Sequence, residues 1–237
     1  NNLGMILYEL GKYKDSLSFY EEGLDISQNN NDKTYQSYFL NNIGNANYSL
    51  SDYAKAIEYY EKSLKITLQV YPDHQHPDIA LTYNNLGNVY YSLSDYAKAI
   101  EYHKKSLEIT LQVYPDHQHP DIAASYVNLG DDYNPLTLYR KTLINNQKAL
   151  NILQNVFGTD THPWIAVCYG NLSQACNSLK NYVQAYEYIS KCIAILKQKY
   201  PAENNALNGE AYLYLGKIER DRGEIEPGII SINKGLQ

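Results

Sequence analysis

Cysteine, methionine and tryptophan are nearly missing from this chain: three Cys, one Met and one Trp in 237 residues. Three cysteines in that length exclude a disulfide scaffold and suit a reducing compartment. No apolar run approaches the ~18 residues of a membrane span. No charged start leads into an apolar segment, so no secretory signal is visible. Charge is sparse as well, with 19% Asp, Glu, Lys and Arg and a net charge of −6. That balance argues against a nucleic-acid partner held by its phosphates. The chain is still 44% hydrophobic, too apolar to stay disordered and long enough for one or two domains with a sizeable core. What it has in excess is Tyr, 26 residues against 3 Phe, and Asn, 25 residues.

The excess is periodic. Residues 51–80 read SDYAKAIEYYEKSLKITLQVYPDHQHPDIA and residues 94–123 read SDYAKAIEYHKKSLEITLQVYPDHQHPDIA, three differences in thirty at an offset of 43. The same offset links HPDIA at 76–80 and 119–123 to HPWIA at 162–166, and Gly44 to Gly87, Gly130, Ser173 and Gly216. Gly4 lies 40 residues before Gly44, which makes a six-unit register with one shorter connection. Each unit reads as two helices. In the cleanest copy the first runs from about Asp78 to Leu93, opened by His76-Pro77-Asp78, since Pro suits a first turn and Asp the positive helix end. Ser94-Asp95 breaks the pattern and offers an N-cap to a second helix that runs to about Tyr114. Glu58 and Lys62 are spaced i,i+4 in the favourable order for a solvated face, and Pro115 closes the unit.

The core formed by Leu86-Gly87, Tyr90, Ala99, Tyr60 or His103, and Ser106 resembles the tetratricopeptide repeat signature, in the longer variant that is similar to the repeats of kinesin light chains. The resemblance covers the whole chain. It implies an all-α, right-handed superhelical solenoid of about five and a half helical pairs, a single array over 1–237 with repeats at approximately 1–33, 34–76, 77–119, 120–162, 163–205 and 206–237. By this register the chain opens inside a first helix at Asn1 and stops inside a second at Gln237, so it is expected to be a piece of a longer protein.

Positions within a repeat are counted here so that Gly87 is position 8. The family pattern makes positions 4 (Tyr83, Tyr126, Tyr169, Tyr212) and 17 (Tyr13, Tyr53, Tyr96, Tyr139, Tyr182) packing positions, which accounts for much of the Tyr. In the family the first helices line a concave surface. On them position 6 is Asn42, Asn85, Asn128 and Asn171, and position 9 is Asn45, Asn88, Asp131 and Gln174. Asn41 and Asn84 stand at position 5, and Tyr48 and Tyr91 at position 12. Positions 5, 9 and 12 share one helical stripe, with 6 beside it. Asn is a poor helix former, costing roughly 0.5 kcal/mol each. An amide both donates and accepts and so can pair with an extended backbone of any sequence. In related arrays Asn at positions 6 and 9 holds peptides. These twelve residues are the expected groove, with an inter-repeat bridge as the alternative role.

The spans expected for the first helices of repeats two to five (35–50, 78–93, 121–136, 164–179) contain no Lys or Arg. A carboxylate clamp would need such charges, and only Lys217 and Arg220 at the far end offer them. The expected ligand is therefore a protein or peptide segment with apolar or aromatic anchors and one basic residue, not an acidic C-terminal tail. In repeat four, Pro135 should end the first helix near Asn134, and Thr142 replaces Ala99, which should loosen the contact between the paired helices. His74, His76, His117 and His119 are the only metal-like feature, but the third loop lacks the pair and His-Pro is structural in the family. Cys168, Cys176 and Cys192 are not spaced as C-x-x-C and read as small buried hydrophobes. There is no phosphate loop, no G-x-S-x-G and no dinucleotide fingerprint. The expectation is a cytoplasmic, non-catalytic interaction module, with no cofactor, metal, membrane or nucleic acid, monomeric or weakly self-associating. Two alternatives stand beside it: the regulatory or substrate-recruiting region of a larger enzyme or NTPase, and an architectural, self-associating solenoid.

Overall fold

A computed structural model describes residues 2–201 and 206–236; the expectations for Asn1 and Gln237 and the repeat boundary at 205 lie outside them. Among the described residues there are twelve helices and no strand. They are α1 (Asn2–Glu9), α2 (Tyr13–Asn29), α3 (Lys33–Ser49), α4 (Tyr53–Val70), α5 (Pro77–Ser92), α6 (Tyr96–Val113), α7 (Pro120–Tyr133), α8 (Tyr139–Phe157), α9 (Pro163–Ser178), α10 (Tyr182–Lys199), α11 (Ala206–Asp221) and α12 (Ile225–Gly235). Odd and even helices are the first and second helices of the six repeats.

The ends of these helices follow from named side chains. Asp52 and Asp95 accept from the Lys55 and Lys98 N–H groups, and Asp32 and Asn181 do the same one repeat-end away. Each such cap is worth about 1 kcal/mol. The first helices use a cap that composition did not suggest. The imidazole Nδ1 of His76, His119 and His162 accepts from the backbone N–H two residues on, at 3.2 Å each. The His76 ring stacks on Tyr71 and the His162 ring on Phe157, with centroids 3.5 and 3.7 Å apart. Position 15, between the paired helices, is left-handed in every repeat: Gly11, Ser51, Ser94, Thr137, Lys180 and Gly223 have φ between 58° and 89°.

The described residues form two compact units that divide between Pro115 and Asp116. Within the first, each helix packs on the next and α3 also touches α5. The core holds Ala56, Tyr60, Leu86 and Val89 in one cluster and Tyr20, Phe39 and Ile43 in another. Fully burying each large side chain contributes roughly 1.5–3 kcal/mol. The position-8 glycine explains the close approach: a Cβ on Gly44 or Gly87 would run into the ring of Tyr60 or His103 at position 24 of the paired helix.

Within the second unit, Ile122, Leu153, Ile165, Leu172, Ile189 and Ile218 are buried, and α7 touches α9 as α9 touches α11. Helix α7 ends at Tyr133 with Asn134 as its C-cap, as Pro135 requires. At 14 residues it is shorter than α5 and α9, each of 16. Thr142 does not loosen its repeat. Its hydroxyl donates to the Gly130 carbonyl at 3.1 Å, and in the next repeat Ser173 at position 8 donates to Ala185 at 2.7 Å. The small-residue contact survives as a hydrogen bond supplied from either side.

Candidate functional site

The first-helix amides form a hydrogen-bonded ladder between repeats. In the first unit Asn85 Nδ2 donates to Asn41 Oδ1 at 3.1 Å and to Asn45 Oδ1 at 3.2 Å. Asn45 Oδ1 also accepts from the Tyr60 hydroxyl at 2.7 Å. Position 6 of one repeat thus donates to positions 5 and 9 of the repeat before it, and position 24 reaches over the position-8 glycine to the same acceptor. In the next repeat His103 Nε2 lies 3.2 Å from Asn88 Oδ1. The second unit repeats the pattern with other residues: Asn171 Nδ2 donates to Asp131 Oδ1 at 2.8 Å and to Asn146 Oδ1 at 3.1 Å.

A second ladder joins position 12 to position 13 of the following repeat. Tyr8 bonds Ser49 at 2.9 Å, Tyr48 bonds Ser92 at 3.0 Å, and Asn177 donates to Asp221 at 2.8 Å. Tyr48 and Tyr91 also pair with Tyr53 and Tyr96, ring centroids 5.7 and 5.5 Å apart. The structure therefore brings Asn41, Asn45 and Asn85 together, and Asn171 with Asp131. It places Asn88 on His103, and Gln174 with Tyr214 in the lining of one cleft. Asn42 Nδ2 is buried with no hydrogen-bond partner among the described residues; its expected acceptor, position 9 of the first repeat, is Met5. Asn84 and Asn128 are half-buried, and Tyr91 is 39% exposed.

Charge on this face is low. Helices α5, α7 and α9 contain no Lys or Arg. Helix α3 does begin at Lys33, two residues earlier than the sequence indicates, and Lys33 Nζ donates to Gln69 at 3.2 Å. Asp131 is the unusual acid. Burial, and then the neighbouring Asp132 charge, push its carboxyl from an ordinary 3.8 up to about 7, against the opposing hydrogen bond from Asn171.

Cys168, Cys176 and Cys192 are buried free thiols. Burial holds Cys168 and Cys192 up to about 12, far from the thiolate needed of a nucleophile. Among the described residues no three His, Cys, Asp or Glu group so as to hold a metal ion, and no helix is long and apolar enough to cross a membrane.

Sequence reasoning missed a cleft of about 410 Å³ in the second unit, lined in part by Trp164, Val167, Gly170, Asn171, Leu207 and Tyr214. Its signal in the sequence was Gly170, a glycine in mid-helix off the position-8 register.

The tetratricopeptide repeat family model matches residues 1–69, 35–112, 78–134 and 121–198. These matches span most of the chain, which belongs to the tetratricopeptide repeat family. No curated protein matches it. Among solved structures, BtubC (BKLC) from P. vanneervenii superposes with a TM-score of 0.81 at 16% identity, over 94% of this chain and 89% of that one. A kinesin light chain-type protein of Podosopora anserina with nearly identical TPR-like repeats gives 0.68 at 15% identity, over 83% and 92%. The STAND (Signal Transduction ATPase with Numerous Domains) protein with a tetratricopeptide repeat sensor from Pyrococcus horikoshii gives 0.77 at 18% identity, over 99% of this chain but 34% of that one. Identities this low show the shared fold alone: an all-α helical repeat of a kind that generally serves as a non-catalytic scaffold for protein partners.

Proposed function

We propose that the chain is a non-catalytic module that binds a peptide or helical segment of another protein along its first helices, using the half-buried amides Asn41, Asn45, Asn84, Asn88, Asn128 and Gln174 beside Tyr48 and Tyr91. Asn85 holds Asn41 and Asn45 from the following repeat, and in the second unit Asn171 holds Asp131 in the same way. The observation that carries this reading is the chemistry of the face: amides and tyrosines, no cation on α5, α7 or α9, and a carboxyl at Asp131. A face that donates and accepts without charge suits a peptide backbone, and a carboxyl favours a basic residue on the ligand over an acidic tail. Three buried thiols suit the cytoplasm. The 43-residue register runs through 115–116 unbroken, and the family match at 78–134 spans that point, which supports one array rather than two modules. A few buried anchors give micromolar affinity, about −8 kcal/mol. A peptide-array screen tests the reading: capture of sequences with apolar anchors and Lys or Arg is expected, and preferential capture of acidic C-terminal peptides rejects it.

A second reading has its own support. The Pyrococcus horikoshii protein bears its repeat sensor within a chain about three times as long as the matched part. This chain would then be the sensing or recruiting region of a larger enzyme. The full-length open reading frame decides that by showing or lacking a nucleotide-binding domain.

A further inference from the structure

Gly170 stands in the middle of α9, where glycine costs about 1 kcal/mol of helix stability relative to alanine. Its counterparts at position 5 are Asn41, Asn84 and Val127. The glycines at position 8 are forced by close neighbours. A Cβ at Gly170 would meet only the Cys192 sulfur, at 3.9 Å, an ordinary contact. Its backbone is helical, so conformation does not demand glycine either. What the missing side chain leaves is depth. Gly170 lies in the cleft of about 410 Å³ that α9, α10 and α11 enclose, within the range of ligand pockets, roughly 300–1,000 Å³. Trp164, Val167 and Leu207 line it while 47%, 44% and 43% exposed. The one charged lining residue is Glu210. Asn171, also in the lining, donates to the Asp131 carboxyl, while Lys217 lines the adjoining cleft together with Gln174 and Tyr214, which the two clefts share.

We propose that the Gly170 cleft is a side-chain pocket for a leucine-sized or aromatic residue of a peptide ligand whose neighbouring residue is Lys or Arg, the cation lying toward Glu210. This deepens the groove reading and rests on it. The apolar rim supplies the anchor contact, and Glu210 supplies the charge preference.

The experiment selects 12-residue peptides from a random phage-displayed library on the full chain, then measures synthetic copies by fluorescence polarisation. The selected peptides are expected to share a bulky apolar residue next to Lys or Arg, and to shift the emission of Trp164, the chain's single tryptophan. Gly170→Leu is expected to weaken them about tenfold or more, the scale of one lost buried anchor. Gly170→Ala guards against misfolding: it should raise the melting temperature, because alanine is the better helix former, yet still weaken the same peptides. Glu210→Gln should erase the preference for Lys or Arg and keep the apolar one. Unchanged affinity in both Gly170 variants overturns the pocket; if Asn128→Ala, outside the cleft, then weakens binding, the groove reading stands without it. Selected peptides rich in Asp and Glu overturn the charge assignment. Failure to select any peptide overturns the groove and the pocket together.

Discussion

Asp131 shows how one substitution within a repeat changes the physics of a position. Its counterparts Asn45, Asn88 and Gln174 are neutral amides. At Asp131 the same place holds a carboxyl whose ionisation is resisted by burial and by Asp132, so it titrates near 7 instead of near 3.8. The sign of the pH effect follows. Between about pH 4 and pH 7 the unfolded chain gives up this proton and the folded chain keeps it. Stability from this group is therefore lost as pH rises through that window and regained as it falls. Thermal melts at pH 5 and pH 8 should show the wild type more stable at pH 5. Asp131→Asn should remove most of that difference and be more stable than the wild type at pH 8. The Asp-for-Asn exchange was legible in the sequence, and so was an acidic point in mid-array. Its shifted titration was not, because that depends on how tightly α7 and α9 enclose it.

At the scale of helices, the Tyr excess has a partner that composition hides. Position 4 is Tyr83, Tyr126, Tyr169 and Tyr212, and position 26 of the same repeats is Lys105, Lys148, Lys191 and Lys234. Each ammonium sits over its ring, 5.8, 5.0, 5.5 and 4.9 Å from the centroid. In repeat two, where position 4 is Leu40, Lys62 sits over Tyr59 instead. The four contacts between positions 4 and 26 join the two helices of one repeat, each worth about 0.5–1 kcal/mol at an exposed site. A double-mutant cycle on Tyr126→Leu and Lys148→Met should give a coupling energy of about 0.5–1 kcal/mol in urea unfolding, and one of zero would deny the interaction. Element boundaries were mostly readable. Asp52 and Asp95 caps, the Pro115 stop and the early end of α7 at Pro135 all act within one turn of chain. The His76, His119 and His162 caps were not read, since imidazole acting as a helix cap also needs the aromatic ring of Tyr71 or Phe157 brought back beneath it.

At the scale of each unit, the ladders decide how strongly repeats depend on one another. In repeat arrays stability is close to a sum of repeat terms and nearest-neighbour interface terms. Asn85 is one such interface term, donating across to Asn41 and Asn45. Asn85→Ala gains slightly in helix propensity but loses both bonds, for a net cost of about 1–2 kcal/mol. Urea unfolding should show a lower midpoint and a broader transition as the repeats uncouple; a transition as sharp as the wild type's would mean the ladder does not couple them. The sequence by itself determined the six-unit register, the helix pairs and the lack of Lys and Arg in α5, α7 and α9, because periodicity, caps and proline act locally along the chain. Which amide bonds which, the cation over each Tyr, the proton on Asp131 and the cleft over Gly170 were decided only by tertiary structure. Those features join residues 15 to 44 positions apart, and their geometry exists only after the helices have stacked.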